Sequence, residues 1–408
     1  MNRTTALAGA ALEARPRVIA ALAAHLRDLD LAEEAFAEAL EACLALPEAP
    51  RNVAAWLLTV GKRKAVDAIR RRGAEARASE AAALANPGDG DMADILSIPD
   101  PIPDERLRLI FICCHPAIAL EARAALALKV ICGLPVGSIA RVFLASEQTM
   151  FQRITRAKAK VREAGVPFEL PARRFWNERL DAVLLTLELA YTVAYQDAAG
   201  ELDAELSAEI ERLSAMVAEL LPEEPEALGL AALVTLARSR EAARVDDIGA
   251  MIPLSQQDTR LWNFDAIERA RRWLDSAAAI GRTGPYQVMA AIQLTHARRA
   301  FDGRTDWKAV LMLYNALMGM RPGPMVMLNR ALALAEVEGP EAGLEALVGL
   351  PEHRLRSARP LHVARANLLA RTGQRDAAAK ALDCALALDP PRAERLFLER
   401  RRIQLATA

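Results

Sequence analysis

Residues 136–162 read VGSIARVFLASEQTMFQRITRAKAKVR and predict two helices joined by a tight turn. The first helix covers about 136–143, the turn falls at 144–145, and Ser146 is a suitable N-cap for a second helix that runs to 162. At helical spacing, the core-facing residues of the second helix are Met150, Phe151, Ile154, Ala157 and Val161. This pattern predicts a helix-turn-helix, a geometry that helical hairpins without any DNA-binding role also adopt.

The opposite side of the second helix is polar and basic. Glutamine and arginine pair with base edges in the major groove, and basic side chains also hold phosphates. The predicted DNA-binding residues of this helix are Gln148, Thr149, Gln152, Arg153, Arg156, Lys158 and Lys160. Among them, Arg156, Lys158 and Lys160 are the predicted phosphate contacts.

A second basic helix is predicted over residues 53–72. Its buried face is centred on Ala65 and includes Leu57, Leu58, Gly61, Ala68 and Ile69. An aromatic ring among cations on the other side suits single-stranded nucleic acid, because bases stack on the ring while cations hold phosphates. The alternative is a solvated helix face with the Trp56 ring packed on a neighbour. The predicted nucleic-acid contacts are Asn52, Trp56, Lys62, Arg63 and Arg70.

The chain of 408 residues is helical in pattern throughout, and no convincing alternating strand is present. Two small helical domains are predicted at 1–73 and 105–165. The linker between them, 74–104, is acidic and contains helix-breaking prolines. A large helical extension is predicted at 166–408, and from about residue 303 it repeats with a period near 35 residues, which is typical of tetratricopeptide-like hairpins. The predicted fold class is all-α.

Composition bounds the functions that this fold can have. Lys and Arg total 52 against 53 Asp and Glu, so the net charge of -1 argues against wholesale coating of nucleic acid. Five scattered cysteines favour a reducing cytoplasm over a disulfide framework. No apolar run reaches the roughly 18 residues that span a bilayer, so we expect a cytoplasmic protein without membrane contact.

No catalytic, metal or cofactor site is predicted. Cys113, Cys114 and His115 stand together, but adjacent cysteines seldom both bind one ion, and no second pair lies at zinc-knuckle spacing. The chain has no glycine-rich phosphate loop after a strand and no evident set of nucleophile, histidine and carboxylate. We therefore expect no metal, no cofactor and no enzymatic activity.

A resemblance to a known family rests on DLAEEA at 30–35, RKAVDAIRRR at 63–72 and SIARVFL at 138–144. These stretches are similar to the second and fourth regions of bacterial sigma factors of the extracytoplasmic-function type. LIFICCHP at 109–116 and AGVPFE at 164–169 resemble one subgroup, which carries a long helical extension with tetratricopeptide-like repeats. The resemblance continues in the extension through LPEEPEALG (221–229), QD (257–258), GPYQ (284–287) and LNRA (328–331).

The resemblance implies that the chain initiates transcription, with core RNA polymerase and promoter DNA as partners. The second region would recognise and melt the −10 element, and the fourth would bind the −35 element as a duplex. Polymerase binding would fall on the helix at 32–46. The acidic contact residues on this helix are Glu33, Glu34, Glu38 and Glu41. The acidic linker would follow a path that nucleic acid normally occupies.

Two other functions stay open at this point. One is a helical-repeat scaffold with a vestigial sigma module that no longer binds polymerase, an interpretation favoured by Ala37, where relatives usually carry glutamine. The other is an enzyme with its site in residues 171–300. That site would be lined by Tyr191, Tyr195, Asp258, Trp262 and Tyr286. For the sigma factor, we expect the extension to regulate in cis, by docking on the basic helices or by binding a regulatory protein.

Overall fold

The computed structural model describes residues 3–26, 28–79, 109–111, 113–130, 133–143, 145–163, 175–196, 201–350 and 358–407. These residues are mostly helical and contain no β-strand, so the predicted all-α class is confirmed for them. Within the same ranges, no helix is long and apolar enough to cross a membrane. The chain divides into two compact units, residues 1–190 and 191–408.

The first unit opens with α1 (Arg3–Leu26), α2 (Leu29–Leu44) and α3 (Val53–Ser79). These helices pack against one another as a bundle. α2 begins after Asp28, whose carboxylate accepts hydrogen bonds from the backbone N–H groups of Asp30 and Leu31, at 2.8 and 3.0 Å. α3 approaches α1 closely at Gly61, where a β-carbon would lie 2.9 Å from a methyl group of Leu22.

The buried face of α3 differs from the predicted one. Ile69 was expected in the core and is 51% exposed. The buried positions of the helix run through Leu57, Gly61, Ala65 and Ala68, so the face is centred nearer residue 61 than residue 65. Ile69 then falls at its edge, which corrects the sequence-based assignment. α3 also continues to Ser79, past the predicted domain end at residue 73, and linker residues 80–104 lie outside the described residues.

The rest of the first unit contains α4 (Leu120–Val130), α5 (Val136–Val142), α6 (Glu147–Glu163) and α7 (Trp176–Gln196). α6 packs on α4 and α5. The Trp176 ring at the start of α7 lies 5.3 Å from the Phe111 ring, and Arg179 donates to the Phe111 carbonyl at 2.9 Å. The predicted boundary at 166 assigned α7 to the extension, whereas its packing places it, up to Ala190, in the first unit.

The second unit begins with α8 (Glu201–Leu220), α9 (Pro225–Arg238), α10 (Phe264–Ala279) and α11 (Pro285–Ala297). α9 packs against the other three helices. An apolar core between them surrounds the Trp262 ring, which is 3% exposed. Short 3-10 turns at Glu241–Ala243, Leu254–Gln256 and Thr259–Leu261 lie on the way from α9 to α10.

The unit ends with α12 (Arg299–Asp302), α13 (Trp307–Met320), α14 (Pro324–Glu338), α15 (Pro340–Val348), α16 (Arg359–Arg371), α17 (Arg375–Ala387) and α18 (Arg392–Thr407). Each helix from α14 to α18 packs on the helix before it. Leu328, Leu347 and Leu368 belong to one apolar cluster of this series, and Leu382 and Leu398 to the next. Repeated hairpins need such serial packing.

A carboxylate on α9 holds the start of α11. Glu226 accepts hydrogen bonds from the backbone N–H groups of Tyr286 and Gln287, at 2.9 and 3.3 Å, and from the Gln287 amide at 3.1 Å. N–H groups in the first turn of a helix have no partner within the helix and favour negative charge. The helices also touch at Gly229, where a β-carbon would lie 2.7 Å from the Gln287 nitrogen. The LPEEPEALG and GPYQ stretches thus form one contact.

We expect Gly229→Ala to lower the free energy of unfolding by about 1–3 kcal/mol, because the added methyl group meets backbone rather than a movable side chain. Gly319→Ala is the matched control, since Gly319 is an exposed helical glycine with no atom within 4 Å of its added β-carbon. This change should be neutral or stabilise by up to about 1 kcal/mol. Denaturant unfolding followed by circular dichroism measures both, and equal effects would contradict the close α9–α11 contact.

The imidazole of His296 is buried on α11, with its ring centre 5.3 Å from that of Trp307. Burial, followed by the charges of Arg240 and Arg299, lowers the pKa of His296 to about 4 from an ordinary value of 6.5. The pKa of His296 is lower in the folded chain than in the unfolded chain. The stability that neutral His296 contributes is therefore complete above about pH 6.5 and is lost as the pH falls toward 4.

We therefore expect protonation of His296 to cost about 3 kcal/mol of unfolding free energy between pH 6.5 and 4. Urea unfolding across this range, compared with His296→Gln, isolates the contribution because carboxylate titration is common to both proteins. Parallel pH profiles for the two chains would contradict the prediction.

Candidate nucleic-acid interface

Between α5 and α6, the structure describes Ala145 and Ser146, while Leu144 of the predicted turn lies outside the described residues. The Ala145 N–H donates to the Ala140 carbonyl at 2.9 Å. The Ser146 hydroxyl accepts from the Thr149 N–H at 3.2 Å and lies 2.8 Å from the Thr149 hydroxyl. This N-cap starts α6 at Glu147 and points its first turn into solvent.

The outward face of α6 carries an aromatic ring that was predicted to be in the core. Met150, Ile154, Ala157 and Val161 are buried as expected, but Phe151 is 62% exposed. The four buried positions define a narrow stripe, and residue 151 lies about a quarter turn away from its centre. The core assignment of Phe151 is therefore wrong. The exposed predicted DNA contacts beside it are Gln148, Thr149, Gln152, Arg156 and Lys160.

Arg153 occupies an intermediate position. Its side chain is half-buried, and its guanidinium carbon lies 5.9 Å from the centre of the Phe143 ring. This cation–π contact joins the end of α5 to α6 across the turn. Arg153 therefore supports the turn, in addition to the base contact that the sequence predicts for it.

Lys158 does not lie on the solvent-facing side where a phosphate contact was predicted. Its Nζ atom is 2.6 Å from a Glu33 oxygen and 3.0 Å from an Asp30 oxygen, both on α2. Arg162 adds a longer contact to Asp30 at 3.5 Å, and Arg15 of α1 lies 3.5 Å from Glu33. Residue 158 borders the buried stripe of α6, so its side chain is directed toward α2 rather than outward.

The environment of Lys158 keeps its ammonium group charged. The side chain is 16% exposed, and burial by itself disfavours the charge. The hydrogen bonds and charges of Glu33 and Asp30 outweigh burial and raise the pKa of Lys158. The pair thus links a predicted DNA-binding cation to Glu33, a predicted polymerase-binding acid.

The other predicted polymerase contacts are spread along α2. Glu34 and Glu41 are exposed, and Glu33 and Glu38 are half-buried. Glu38 lies 3.6 Å from Lys64 of α3. The acidic face of α2 is therefore shared between solvent, the basic helix α3 and the basic end of α6.

The predicted contacts of α3 lie at different depths. Arg63 and Arg70 are exposed, and Lys62 and Trp56 are half-buried. The Asn52 side-chain oxygen accepts a hydrogen bond from a backbone N–H in the first turn of α3, at 3.0 Å. Asn52 is thus the N-cap of this helix. The half-buried ring of Trp56 leaves both the stacking and the packing interpretations in place.

The adjacent cysteines at 113 and 114 belong to the first unit. Cys113 and Cys114 are buried and have free thiols. Burial raises the pKa of Cys114 to about 12, which favours the thiol over the thiolate. No three His, Cys, Asp or Glu side chains group around a metal position in the described part of the chain. Cys132 lies outside the described residues.

A cavity of about 410 Å³ lies in the second unit. Its lining includes Glu211, Arg238, Ser239, Glu241, Asn263 and Arg269. The charges pair with one another, since Arg238 binds Glu211 and Glu241, and Arg269 binds Glu211 at 3.3 Å. The described residues of the predicted enzyme site do not line it, namely Tyr191, Asp258, Trp262 and Tyr286. The Tyr195 side chain lies outside the described residues.

Two comparisons place the chain among known proteins. Residues 179–278 match the model of a family of unknown function (DUF6596). Over 396 residues, the chain is 41% identical to an uncharacterized protein of Rhizobium meliloti (strain 1021). That alignment covers 95% of this chain and 93% of the relative, so both units take part in the similarity.

We expect Lys158→Ala to lower the stability of the first unit by about 1–2 kcal/mol, because it leaves the half-buried Glu33 carboxylate without its closest cation. Lys160→Ala removes an exposed cation two residues away and should stay within about 0.5 kcal/mol of the parent chain. Thermal unfolding at low and high salt measures both variants. Indistinguishable stabilities would show that the Lys158 pair is not formed in solution.

Proposed function

The chain belongs to the same family as the Rhizobium meliloti protein, and for this chain we propose the function of an extracytoplasmic-function sigma factor with a helical extension. It binds core RNA polymerase and directs it to specific promoters. The proposal rests on the resemblance of the first 165 residues to the second and fourth sigma regions. The geometry of α6 is the structural observation that supports it most.

α6 has the features that a recognition helix needs. Its first turn is capped by Ser146, and its N-terminal half exposes Gln148 and Gln152, whose amides suit adenine edges in the major groove. The exposed Phe151 ring lies between them and offers an apolar contact for thymine methyl groups. Arg156 and Lys160 then provide phosphate contacts further along the helix.

α3 supports the promoter-melting part of the proposal. Its exposed Arg63 and Arg70 provide cations, and the half-buried Trp56 offers part of its ring for stacking. The exposed Glu34 and Glu41 of α2 remain accessible to the polymerase. In this proposal, α2 and α3 therefore serve polymerase and single-stranded DNA from one bundle.

The Lys158–Glu33 pair bears on how this factor works. The contact joins the end of the proposed recognition helix to the proposed polymerase-binding helix, so each surface partly covers the other. We propose that polymerase and promoter binding act on a form in which α2 and α6 have separated. In that form, Lys158 contacts a DNA phosphate and Glu33 contacts polymerase, and these contacts compensate for the lost Lys158–Glu33 ion pair.

In vitro transcription with purified core polymerase tests the proposed function. Gln152→Ala should weaken promoter-specific initiation by about 5- to 100-fold, since a good bidentate base contact contributes about 1–3 kcal/mol. Glu163→Ala, an exposed change at the other end of α6, is the control and should leave initiation unchanged. Failure of the full chain to bind core polymerase would instead favour the helical-repeat scaffold.

Phe151→Ala separates the two interpretations of that ring. Because Phe151 is exposed, its replacement by alanine should change the free energy of unfolding by no more than about 0.5 kcal/mol. The same replacement should reduce promoter affinity. A core phenylalanine would cost about 3–5 kcal/mol on the same change. Unfolding and promoter-binding measurements on one variant therefore distinguish a DNA contact from a packing residue.

The extension is proposed to regulate initiation in cis, with its serially packed helices α13 to α18 forming tetratricopeptide-like repeats. Because Trp176 and Arg179 of α7 belong to the first unit, a truncation test must retain α7. We expect a chain that ends at residue 196 to differ from the full chain in promoter output. Identical output from both chains would exclude regulation in cis.

A further inference from the structure

Two arginines of the second unit, the buried Arg240 and the half-buried Arg299, have no carboxylate partner among the described residues. Arg240 is 5% exposed and donates to the Gln293 amide oxygen at 2.6 Å. Arg299 donates to three backbone carbonyls of the segment 254–257, each at 2.9 Å. Buried charges are ordinarily paired, because leaving water disfavours an ion strongly. Both guanidinium groups are held by neutral groups alone.

The acids that are nearest in sequence are engaged elsewhere. Glu241 follows Arg240 in the chain but binds Arg238 at 3.1 Å. Asp302 follows Arg299 by three positions but lies 3.3 Å from Arg298. Asp258, at the end of the segment that holds Arg299, binds Arg260 at 2.7 Å. None of these carboxylates pairs with Arg240 or Arg299.

The charges of the cluster act on one another. Burial, followed by the charge of Arg240, lowers the pKa of Arg299. Burial, and then the charges of Arg240 and Arg299, lower the pKa of His296 and keep it neutral near neutral pH. The cluster thus carries two mutually repelling positive charges, and an anion would relieve this repulsion.

Three buried polar atoms beside these charges have no hydrogen-bond partner: Arg240 Nε, Trp262 Nε1 and Gln257 Oε1. The Trp262 and Gln257 side chains are 3% and 7% exposed. Arg299 connects them, since its guanidinium carbon lies 5.1 Å from the Trp262 ring centre and it binds the Gln257 carbonyl. The Gln257 amide nitrogen donates to the Ile252 carbonyl at 3.2 Å, which fixes the amide orientation. Two donors and one acceptor remain.

We propose that Arg240, Trp262, Gln257 and Arg299 form a binding site for a proton-bearing oxyanion of the phosphate class. The guanidinium and indole N–H groups donate to anion oxygens, and the anion's own hydroxyl donates to Gln257 Oε1. Arg299 supplies the second positive charge. Sulfate and carboxylates carry no such proton near neutral pH, so they leave the Gln257 acceptor unsatisfied and bind less tightly.

The site lies mainly in the stretch that matches the family of unknown function. Residues 240, 257 and 262 fall within 179–278, and Arg299 follows on α12. The inference does not depend on the sigma-factor proposal. It gives the extension a small anionic ligand. It also assigns a role to Gln257 and Trp262, which were both named in the sequence analysis.

Calorimetric titration and thermal unfolding of the full chain test the site at neutral pH and constant ionic strength. Inorganic phosphate should bind saturably and raise the unfolding temperature, and sulfate should bind about tenfold more weakly. Glycerol phosphate distinguishes the sources, because its phosphate group carries little proton at neutral pH. Weaker binding than phosphate indicates the free anion, and tighter binding indicates an organic monoester whose own hydroxyl donates to Gln257 Oε1. No saturable effect of either phosphate would overturn the site, and equal binding of sulfate would overturn the proton-bearing ligand.

Two variants make the test specific. Trp262→Phe keeps an aromatic ring against Arg299 and removes the N–H donor together with part of the ring, so phosphate affinity should fall about tenfold. Gln257→Glu supplies the missing carboxylate, so the phosphate-free protein should unfold at a higher temperature and phosphate should no longer stabilise it. Arg269→Gln, at a half-exposed arginine paired with Glu211, is the control and should bind phosphate normally. Parent-like phosphate binding in both site variants would contradict the proposal.

Discussion

A charge that leaves water needs a partner, and this constraint accounts for one contact between helices in each unit. In the first unit, the Lys158 ammonium is withdrawn against Glu33, which attaches α6 to α2. In the second, the Glu226 carboxylate meets unpaired N–H groups at the start of α11 and fixes that helix to α9. Arg240 and Arg299 depart from this pattern because only neutral groups hold them. The rule that explains the first two contacts is therefore also the basis for proposing an anion site at these arginines.

The part of the candidate interface that could be predicted from sequence is the part that depends on close neighbours along the chain. The Ser146 cap and the buried stripe through Met150 and Ile154 follow from spacings of three or four residues. Phe151 and Lys158 could not be placed in this way. Their exposure depends on the width of the surface that covers α6 and on acids 125 or more positions earlier in the chain. Periodicity gives the direction of a side chain, but not what lies opposite it.

The difference between local pattern and long-range contact also explains the domain boundaries and the motifs of the extension. Glycine and proline at 165–171 predict a break in helix, and α7 begins at Trp176, yet the Trp176 ring packs on Phe111. A helix break is a local event, whereas a unit boundary depends on packing. In the sequence, the stretches at 221–229 and 284–287 are connected only by the resemblance to the sigma-factor subgroup. Their physical reason is a contact between positions about 60 residues apart, which no local pattern reveals.

The contact between α9 and α11 tolerates some changes of sequence and is broken by others. Glu226 binds the main-chain N–H groups of residues 286 and 287, so these hydrogen bonds do not depend on which side chain stands at 286. They depend instead on chain length, because one residue inserted between Gly284 and Gln287 would carry the N–H groups out of register with the carboxylate. Loss of the small residue at 229 would push the two helices apart. During evolutionary drift, these backbone hydrogen bonds can survive any replacement at 286 other than proline, whereas an insertion or deletion in this segment would break them.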